Sequence, residues 1–185
     1  EGKTFTDQDF SGDRFPVGKY EDCVFERCDF NVAKLVDSSM VDCSFNECDL
    51  SNAKIWGSSF RDVTFKNCKL LGLDFSGANT FFQLAVSFDG CQLDYSIFSG
   101  LVLTGTKFID SSLLEVDFTD GKLTDADFSG SRLTRTLFSG TNLAKADFRT
   151  ANDYRIDPEV NFLKGAKFSA PGVLGLLEKY QIVID

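Results

Sequence analysis

The chain has 185 residues, of which 28 are Asp or Glu, 19 are Lys or Arg and none is His, so its formal net charge is −9. The lack of His excludes catalytic triads with a His base, HExxH zinc sites and His acid–base chemistry. No stretch approaches the roughly eighteen apolar residues that a membrane-spanning helix needs. These features argue against an enzyme and against a membrane protein.

A large apolar residue returns at every fifth position in two long runs, from Phe5 to Phe75 and from Phe88 to Phe148. The residue two positions earlier is almost always small or apolar, as at Cys23 and Ala126. Neither a helix nor a strand keeps a five-residue period on one face. The pattern therefore predicts a coil that turns a corner once per repeat, with two inward and three outward side chains in each.

Four such repeats would close a square coil of twenty residues, and residues twenty apart would then stack. Phenylalanine follows this period at Phe5, Phe25, Phe45 and Phe65 and, after an insertion of three residues, at Phe88, Phe108, Phe128 and Phe148. Neighbouring coils would lie about one strand spacing apart, roughly 4.8 Å. About eight coils would then form a rod on the order of 40 Å long.

Individual repeats read CDFNV, CDLSN, ADFSG, TNLAK and ADFRT. They resemble the repeats of the pentapeptide repeat family, whose consensus is A(D/N)LXX, and the resemblance covers most of the chain. It implies an all-β fold, a right-handed quadrilateral parallel β-helix. We predict that this β-helix occupies residues 1–170, with a bulge at 76–87, and that residues 171–185 form a C-terminal cap.

All six Cys residues occupy the small inward position of a repeat. Their spacing and the lack of His argue against a metal site, and a coil with its own core does not need disulfides. We interpret them as small buried side chains. Unpaired thiols in this number favour a reducing compartment, which predicts a cytoplasmic protein. No cofactor is predicted.

Stacking would also bring acidic residues into columns on the outer surface. One predicted column contains Asp9, Asp29 and Asp49, and a second contains Asp22, Asp42 and Asp62. Like charges about 4.8 Å apart in water repel by roughly 0.9 kcal/mol per pair before salt screening, so these columns do not help folding. They either favour solubility or form a negative stripe that occupies a basic groove made for DNA. Direct binding of nucleic acid is not expected.

The repeats are interrupted between the two runs, over Ser76–Ser87. The three additional residues predict a bulge on the face of Tyr20, Met40 and Phe60. The predicted loop residues are Thr80, Phe81, Phe82 and Gln83. The bulge either restores the register of the coil or presents a loop that contacts a specific partner, as loops on scaffolds do.

After Phe148 the repeats weaken, and Pro171 opens a segment with helical spacing. Its apolar residues are Val173, Leu176, Leu177 and Tyr180, and a strand-like tail with Ile182 and Ile184 follows. The last coil of a solenoid exposes unpaired backbone groups and apolar side chains, so a short capping helix is predicted here. The same residues could join two rods end to end as a twofold-symmetric homodimer.

The C-terminal sequence resembles one branch of this family more specifically than the repeats do. YRIDPEVN, followed by FSAPGVLGLLEKYQIVI, is similar to the branch of the family that contains the bacterial quinolone-resistance and microcin B immunity proteins. That resemblance implies a dimeric, non-enzymatic DNA mimic that binds DNA gyrase and topoisomerase IV and protects them from inhibitors such as quinolones. The alternative is a structural or adaptor module that binds an unknown protein partner.

Overall fold

In a computed structural model that describes residues 1–81 and 84–183, short parallel strands stack along one axis. The strands of the described residues are β1 (Thr4–Thr6), β2 (Lys19–Glu21), β3 (Val24–Glu26), β4 (Ser39–Val41), β5 (Ser44–Asn46), β6 (Ser59–Arg61), β7 (Val63–Lys66), β8 (Val86–Asp89) and β9 (Lys107–Ile109). Two 3-10 helices follow, η1 (Gly172–Leu176) and η2 (Glu178–Tyr180).

The strands form two parallel sheets, with the order β1-β3-β5-β7-β8-β9 in the larger and β2-β4-β6 in the smaller. In the larger sheet Phe5 pairs with Phe25 and Phe45 pairs with Phe65, so these coils repeat every twenty residues. The step from Phe65 to Phe88 is twenty-three residues, which places the insertion between β7 and β8. The predicted all-β parallel solenoid is confirmed.

The other two sides of the coil stack through isolated parallel bridges. One column begins at Asp9 and ends at Asn152. The other begins at Arg14 and ends at Leu137, with no bridge between Lys54 and Asp74 among the described residues. The six regular strands of the larger sheet mark five turns of the coil, fewer than the eight coils predicted. The later coils stack mainly through single bridges. Turns occupy two residues in most repeats, so each side of the coil is too short for longer strands.

The interior is filled by stacked aromatic rings. Phe25 and Phe45 are fully buried, with ring centroids 4.6 Å apart and planes that differ by 11°. Phe108 and Phe128 repeat this geometry at 5.2 Å and 6°. These separations match the spacing of parallel strands, roughly 4.8 Å. One ring per coil therefore fills its level of the core, and removing one would leave a cavity between two others.

The small inward position is also a hydrogen-bonding site. The Ser131 hydroxyl donates to the carbonyl of Phe108 at 2.8 Å. The Cys48 thiol makes the equivalent bond to the Phe25 carbonyl and accepts the N–H of Cys28, both at 3.4 Å. Burial raises the pKa of the Cys28 thiol, which keeps it protonated. These Cys residues are thus hydrogen-bonded groups, and the interpretation as merely small buried side chains was incomplete.

The second turn residue of most repeats adopts a left-handed backbone conformation. The φ angle is 53° at Asp22, 54° at Asp37 and 71° at Gly57. Gly, Asn and Asp reach this conformation at the lowest cost, which explains why they are common there. At Gly57 a Cβ would also lie 2.4 Å from the Asp37 carboxylate, so a larger residue there would have to displace that side chain.

At the C-terminal end the five-residue register breaks. It would place Asp153 and Pro158 in the interior, but Tyr154 and Ile156, 5% and 1% exposed, are buried instead. The Ile156 N–H donates to the carbonyl of Gly175 at 3.1 Å. The last coil therefore pairs with the cap.

The cap differs from the predicted capping helix and strand-like tail. It consists of the short 3-10 helices η1 and η2, and residues 181–183 form no strand. At Gly175 a Cβ would lie 2.3 Å from the carbonyl oxygen of Tyr154, so the cap packs directly on the backbone of the last coil. Within the described ranges, no helix has the length and hydropathy needed to cross a bilayer.

Candidate partner-binding surface

The first predicted acidic column lies in the middle of one side of the coil. Asp9 bridges to Asp29 and Asp29 bridges to Asp49, so the structure stacks all three. Asp9 and Asp29 are exposed and Asp49 is half-buried. The next member of the column is Lys69, so the run of acidic residues ends there.

Each carboxylate in this column also closes a turn. Each accepts the backbone N–H two residues later, Asp9 from Ser11 at 2.9 Å, Asp29 from Asn31 at 2.8 Å and Asp49 from Ser51 at 2.9 Å. Hydrogen bonds from the Ser11 hydroxyl and N–H lower the pKa of Asp9. Asn142 makes the same turn with the N–H of Ala144 at 3.1 Å. The fold thus uses the side-chain oxygen, and an amide can replace the carboxylate.

The second column occupies the corner before β3, β5 and β7. Asp22, Asp42 and Asp62 are all exposed, with φ angles of 53°, 51° and 54°. The Asp22 N–H donates to the Val41 carbonyl at 3.1 Å, and the Asp42 N–H donates to the Arg61 carbonyl at 2.9 Å. These bonds hold successive corners in register. Within residues 1–81 and 84–183, none of the three carboxylates forms an ion pair.

The two columns flank the same side of the rod. Asp22 lies two residues before β3, and Asp29 lies three residues after it. Asp42 and Asp49 flank β5 in the same way. We call this side, formed by β1, β3, β5 and β7 with the two Asp columns, the acidic surface. Its carboxylates are adjacent in space although they are spread over more than fifty residues of sequence.

The basic side chains near the acidic surface fall into two groups, one paired with a carboxylate and one stacked on the adjoining side of the coil. Arg27 binds Asp7 through two hydrogen bonds, of 2.7 and 3.0 Å. On the adjoining side, Arg14, Lys34 and Lys54 form a basic column, and none of them has an ion-pair partner in the described part of the chain. This column was not predicted, although the twenty-residue spacing that revealed the acidic columns also applies to it.

The predicted loop lies on the side of the smaller sheet. Thr80 and Phe81 are exposed, Phe81 by 87%, whereas Phe82 and Gln83 lie outside the described residues. The buried side chain that returns the chain to the core is Leu84, which the sequence analysis missed. Leu84 and Asp62 line one cavity of about 290 Å³, so the loop adjoins the second acidic column.

The predicted dimer residues are only partly on the surface. Val173, Tyr180 and Ile182 are 39%, 47% and 56% exposed, whereas Leu176 and Leu177 are half-buried in the cap. Ile184 lies outside the described residues. Further exposed apolar side chains at this end were not predicted as interface residues, namely Leu137, Val160, Phe162, Leu174 and Val183.

The described residues contain no group of three or more His, Cys, Asp or Glu side chains placed to hold a metal ion. The acidic surface is an outer surface, as the exposure of Asp22 and Asp42 indicates. A surface of this kind suits electrostatic contact with a macromolecule more than chemistry on a small substrate, which needs an enclosing pocket.

Comparison with known proteins bears on the fold. A family model described as a pentapeptide repeat region matches residues 3–80 and 82–148. Two trypsin-treated forms of QnrB1, a plasmid-mediated fluoroquinolone resistance protein, have similar structures, each with a TM-score of 0.69 and 21% identity. The matches cover 97% of this chain and 99% of the other in one case, and 100% of both in the second. No curated protein matches the chain.

Proposed function

Because the chain belongs to the pentapeptide repeat family, we propose that it is a non-enzymatic DNA mimic that binds a type II topoisomerase, DNA gyrase or topoisomerase IV. Binding modulates the enzyme or protects it from inhibitors such as quinolones. The observation that carries the proposal is the acidic surface, in which two columns of Asp without ion pairs in the described ranges flank one parallel sheet. The likeness in fold to QnrB1, a fluoroquinolone resistance protein, is consistent with it.

The charge density of the acidic surface supports the proposal. Over the three coils that carry the columns, one carboxylate per coil in each column gives one negative charge per about 2.4 Å of rod, from a coil spacing of roughly 4.8 Å. Duplex DNA carries one per about 1.7 Å of axis. A groove lined with Lys and Arg to hold DNA would therefore meet a similar linear charge, and affinity should fall as salt increases.

The basic column restricts how the rod docks. Arg14, Lys34 and Lys54 lie on the side next to the column of Asp9, and a basic groove would repel them. The groove would therefore contact the side of the larger sheet and its two flanks. In this orientation the loop at Thr80 and Phe81 lies at the edge of the contact, where it can distinguish one partner from another.

We propose further that the exposed apolar residues at the C-terminal end, with Val173, Tyr180 and Ile182 among them, join two copies as a homodimer. Apolar side chains grouped at one end of a monomer commonly mark a contact between proteins. The dimer would be a longer rod with an acidic surface toward each outer end. We place the protein in the cytoplasm and expect it neither to bind nucleic acid directly nor to associate with a membrane.

The alternative is a structural or adaptor module. One observation favours it, namely that the carboxylates of Asp9, Asp29 and Asp49 close turns and so have a role without a partner. Asp22, Asp42 and Asp62 have no such bond among the described residues, and they are the better test of the two functions.

A supercoiling assay with purified gyrase tests the proposal. The wild-type protein should inhibit supercoiling or restore it in the presence of a quinolone, more strongly at low salt. The triple variant Asp22→Asn, Asp42→Asn, Asp62→Asn should lose the effect and keep its melting temperature, because Asn also adopts the left-handed conformation.

The matched control removes the same charge elsewhere. Asp37, Asp110 and Asp120 also have positive φ angles, of 54°, 47° and 57°, but do not form one column. Replacing these three by Asn should leave most of the effect on gyrase intact. If the wild-type protein had no effect at low salt, or if both triple variants were equally weakened, the adaptor function would be favoured.

A further inference from the structure

One side of the rod ends a coil earlier than the other three. The column of bridges through Leu137 stops there, whereas the neighbouring columns continue to Asn152, Phe162 and Lys167. The residue twenty positions after Leu137 is Asp157, and no bridge joins the two in the described residues. The eighth position of this column is therefore unfilled.

Two backbone groups beside Leu137 consequently have no partner in the described part of the chain. Two coils earlier the equivalent groups are paired. The Ser96 carbonyl accepts the N–H of Asp117 at 3.0 Å, and the Phe98 N–H donates to the carbonyl of Asp117 at 2.8 Å. The corresponding groups here, the Thr136 carbonyl and the Phe138 N–H, make neither bond. An unpaired edge of this type is where an extended segment can add as a further strand.

A cavity of about 770 Å³ adjoins this edge, and we call it the end slot. Its apolar lining is formed by Leu137, Phe138, Ile156 and Leu176. The Leu137 side chain is 54% exposed. Two Arg residues line the slot, and each is held by a carboxylate, Arg135 by Glu115 at 2.6 Å and Arg155 by Glu178 at 2.7 Å. The slot therefore suits an apolar extended segment more than a charged one.

The C-terminal segment of this chain has those properties. Residues 181–185 read QIVID, in which three consecutive apolar residues are β-branched and favour an extended conformation. Gln181 lines the end slot, and its left-handed backbone, with φ of 50°, redirects the chain. Ile182 and Val183 are 56% and 88% exposed. These two residues of the segment thus do not fill the slot of their own copy.

We propose that the end slot receives the C-terminal segment of a second copy, which adds as a strand between the Thr136 carbonyl and the Phe138 N–H. This inference rests on the homodimer proposed above. In a twofold-symmetric dimer each copy gives its segment and receives that of the other. The slot is then complete only in the dimer, and the apolar side chains of Leu137 and Ile182 are removed from water.

The first test is a charge in the slot. Leu137→Asp should raise the dimer dissociation constant by at least about 100-fold, because both slots of the dimer lose an apolar contact and gain a buried charge. Sedimentation equilibrium measures it. Ile97→Asp, two coils earlier in the same column, is the matched control and should leave the constant unchanged. Asp117 already occupies this column, so the fold accepts an Asp there.

The second test changes the segment. Ile182→Asp should weaken the dimer as Leu137→Asp does, and a mixture of the two variants should form a heterodimer that retains one intact contact. Amide exchange of Phe138 gives a direct reading, since its N–H should be protected in the wild-type dimer and exchange rapidly in Ile182→Asp. A change in fold alone would not restore association on mixing.

The outcomes separate the proposals. A dimer of unchanged affinity in both variants would overturn the end slot and leave the homodimer standing. A wild-type chain that is monomeric at every concentration tested would overturn both. Neither result bears on gyrase, because binding to the acidic surface is measured separately in the supercoiling assay.

Discussion

The early and late coils share one backbone but differ in their outer charges. In the early coils the column that begins at Asp9 stacks three acidic residues. In the late coils the same column continues through Ser112, Arg132 and Asn152 and carries no acidic residue. In the neighbouring column Asp147 is paired, with Arg149 at 2.7 Å and Lys167 at 3.6 Å. Since both arrangements occur on the same coil, the fold does not require columns of like charge. The acidic surface is thus a property of the early coils alone, as the proposed binding to a basic groove needs.

The interior differs between these regions as well. In the early coils the thiol of Cys48 donates to the strand carbonyl of Phe25, and at the same position in the late coils the hydroxyl of Ser131 donates to the strand carbonyl of Phe108. The oxygen bond is 2.8 Å long and the sulfur bond 3.4 Å. The aromatic stack, by contrast, is the same in both regions. Removing a Phe ring should therefore lower the free energy of unfolding by a similar amount in both regions. Replacing the small inward residue should lower it by different amounts.

The largest expected effect tests this uniformity. Phe45→Ala and Phe108→Ala should each lower the free energy of unfolding by about 3–5 kcal/mol, because each leaves a cavity in the aromatic stack. Denaturant unfolding measures both. Val17→Ala, at a side chain that is 52% exposed, is the control and should change stability by less than about 0.5 kcal/mol. A large loss in only one of the two Phe variants would contradict a uniform core.

The next effect distinguishes hydroxyl from thiol. Ser131→Ala should cost about 1–3 kcal/mol, because it leaves the Phe108 carbonyl and the Ser111 N–H without a partner. Cys48→Ala should cost less, since sulfur is a weak donor and acceptor. Thermal unfolding compares the two variants. Equal losses would mean that volume alone determines this position.

A smaller effect is expected from the ion pairs of the late coils. Asp147→Asn should lower stability at neutral pH by up to about 1 kcal/mol. The hydrogen bond from Arg149 lowers the pKa of Asp147 in the folded protein. Its contribution is therefore present above the unfolded pKa of about 3.9 and is lost as the pH falls through the lower folded value. Unfolding measured across this range should show the wild type and the variant converging.

The smallest expected effect concerns the Asp residues of the early coils that form no ion pair in the described part of the chain. Asp42→Asn should change stability by less than about 0.5 kcal/mol and in the favourable direction, because it relieves repulsion from Asp22 and Asp62. Added salt should stabilise the wild type slightly more than the variant. A clear loss of stability would instead assign the Asp residues of this column a role in folding.

The sequence predicted the fold well because its period has only one geometric solution. A large side chain at every fifth position, with a small one two residues before it, fixes the register of Phe5 with Phe25 and the stacking of Asp9 with Asp29. The same rule would have found the basic column of Arg14. The hydrogen bonds from the Asp carboxylates to the backbone N–H two residues later could also have been predicted, because Asp commonly closes turns in this way.

The rest could not be predicted because it arises where the period fails. Nothing in the spacing distinguishes Leu84 from its neighbours as the residue that returns the insertion to the core. At the other end, Tyr154 and Ile156 are buried out of register because the cap packs on them, with a bond from the Ile156 N–H to the Gly175 carbonyl. The helical spacing of the apolar residues in the cap predicted a helix, and the cap does contain helical turns. They are short 3-10 helices, and they pack closely on the backbone of Tyr154.

The sequence by itself determined the coil, the core residues within the two periodic runs and the positions of the acidic columns, since a strict period leaves each residue one place in the stack. The tertiary structure alone decided which side chains are paired, that regular strands form between the two acidic columns, and that one side ends early at Leu137. These features depend on contacts between coils and with the cap. Such contacts join residues far apart in sequence, so no local pattern specifies them.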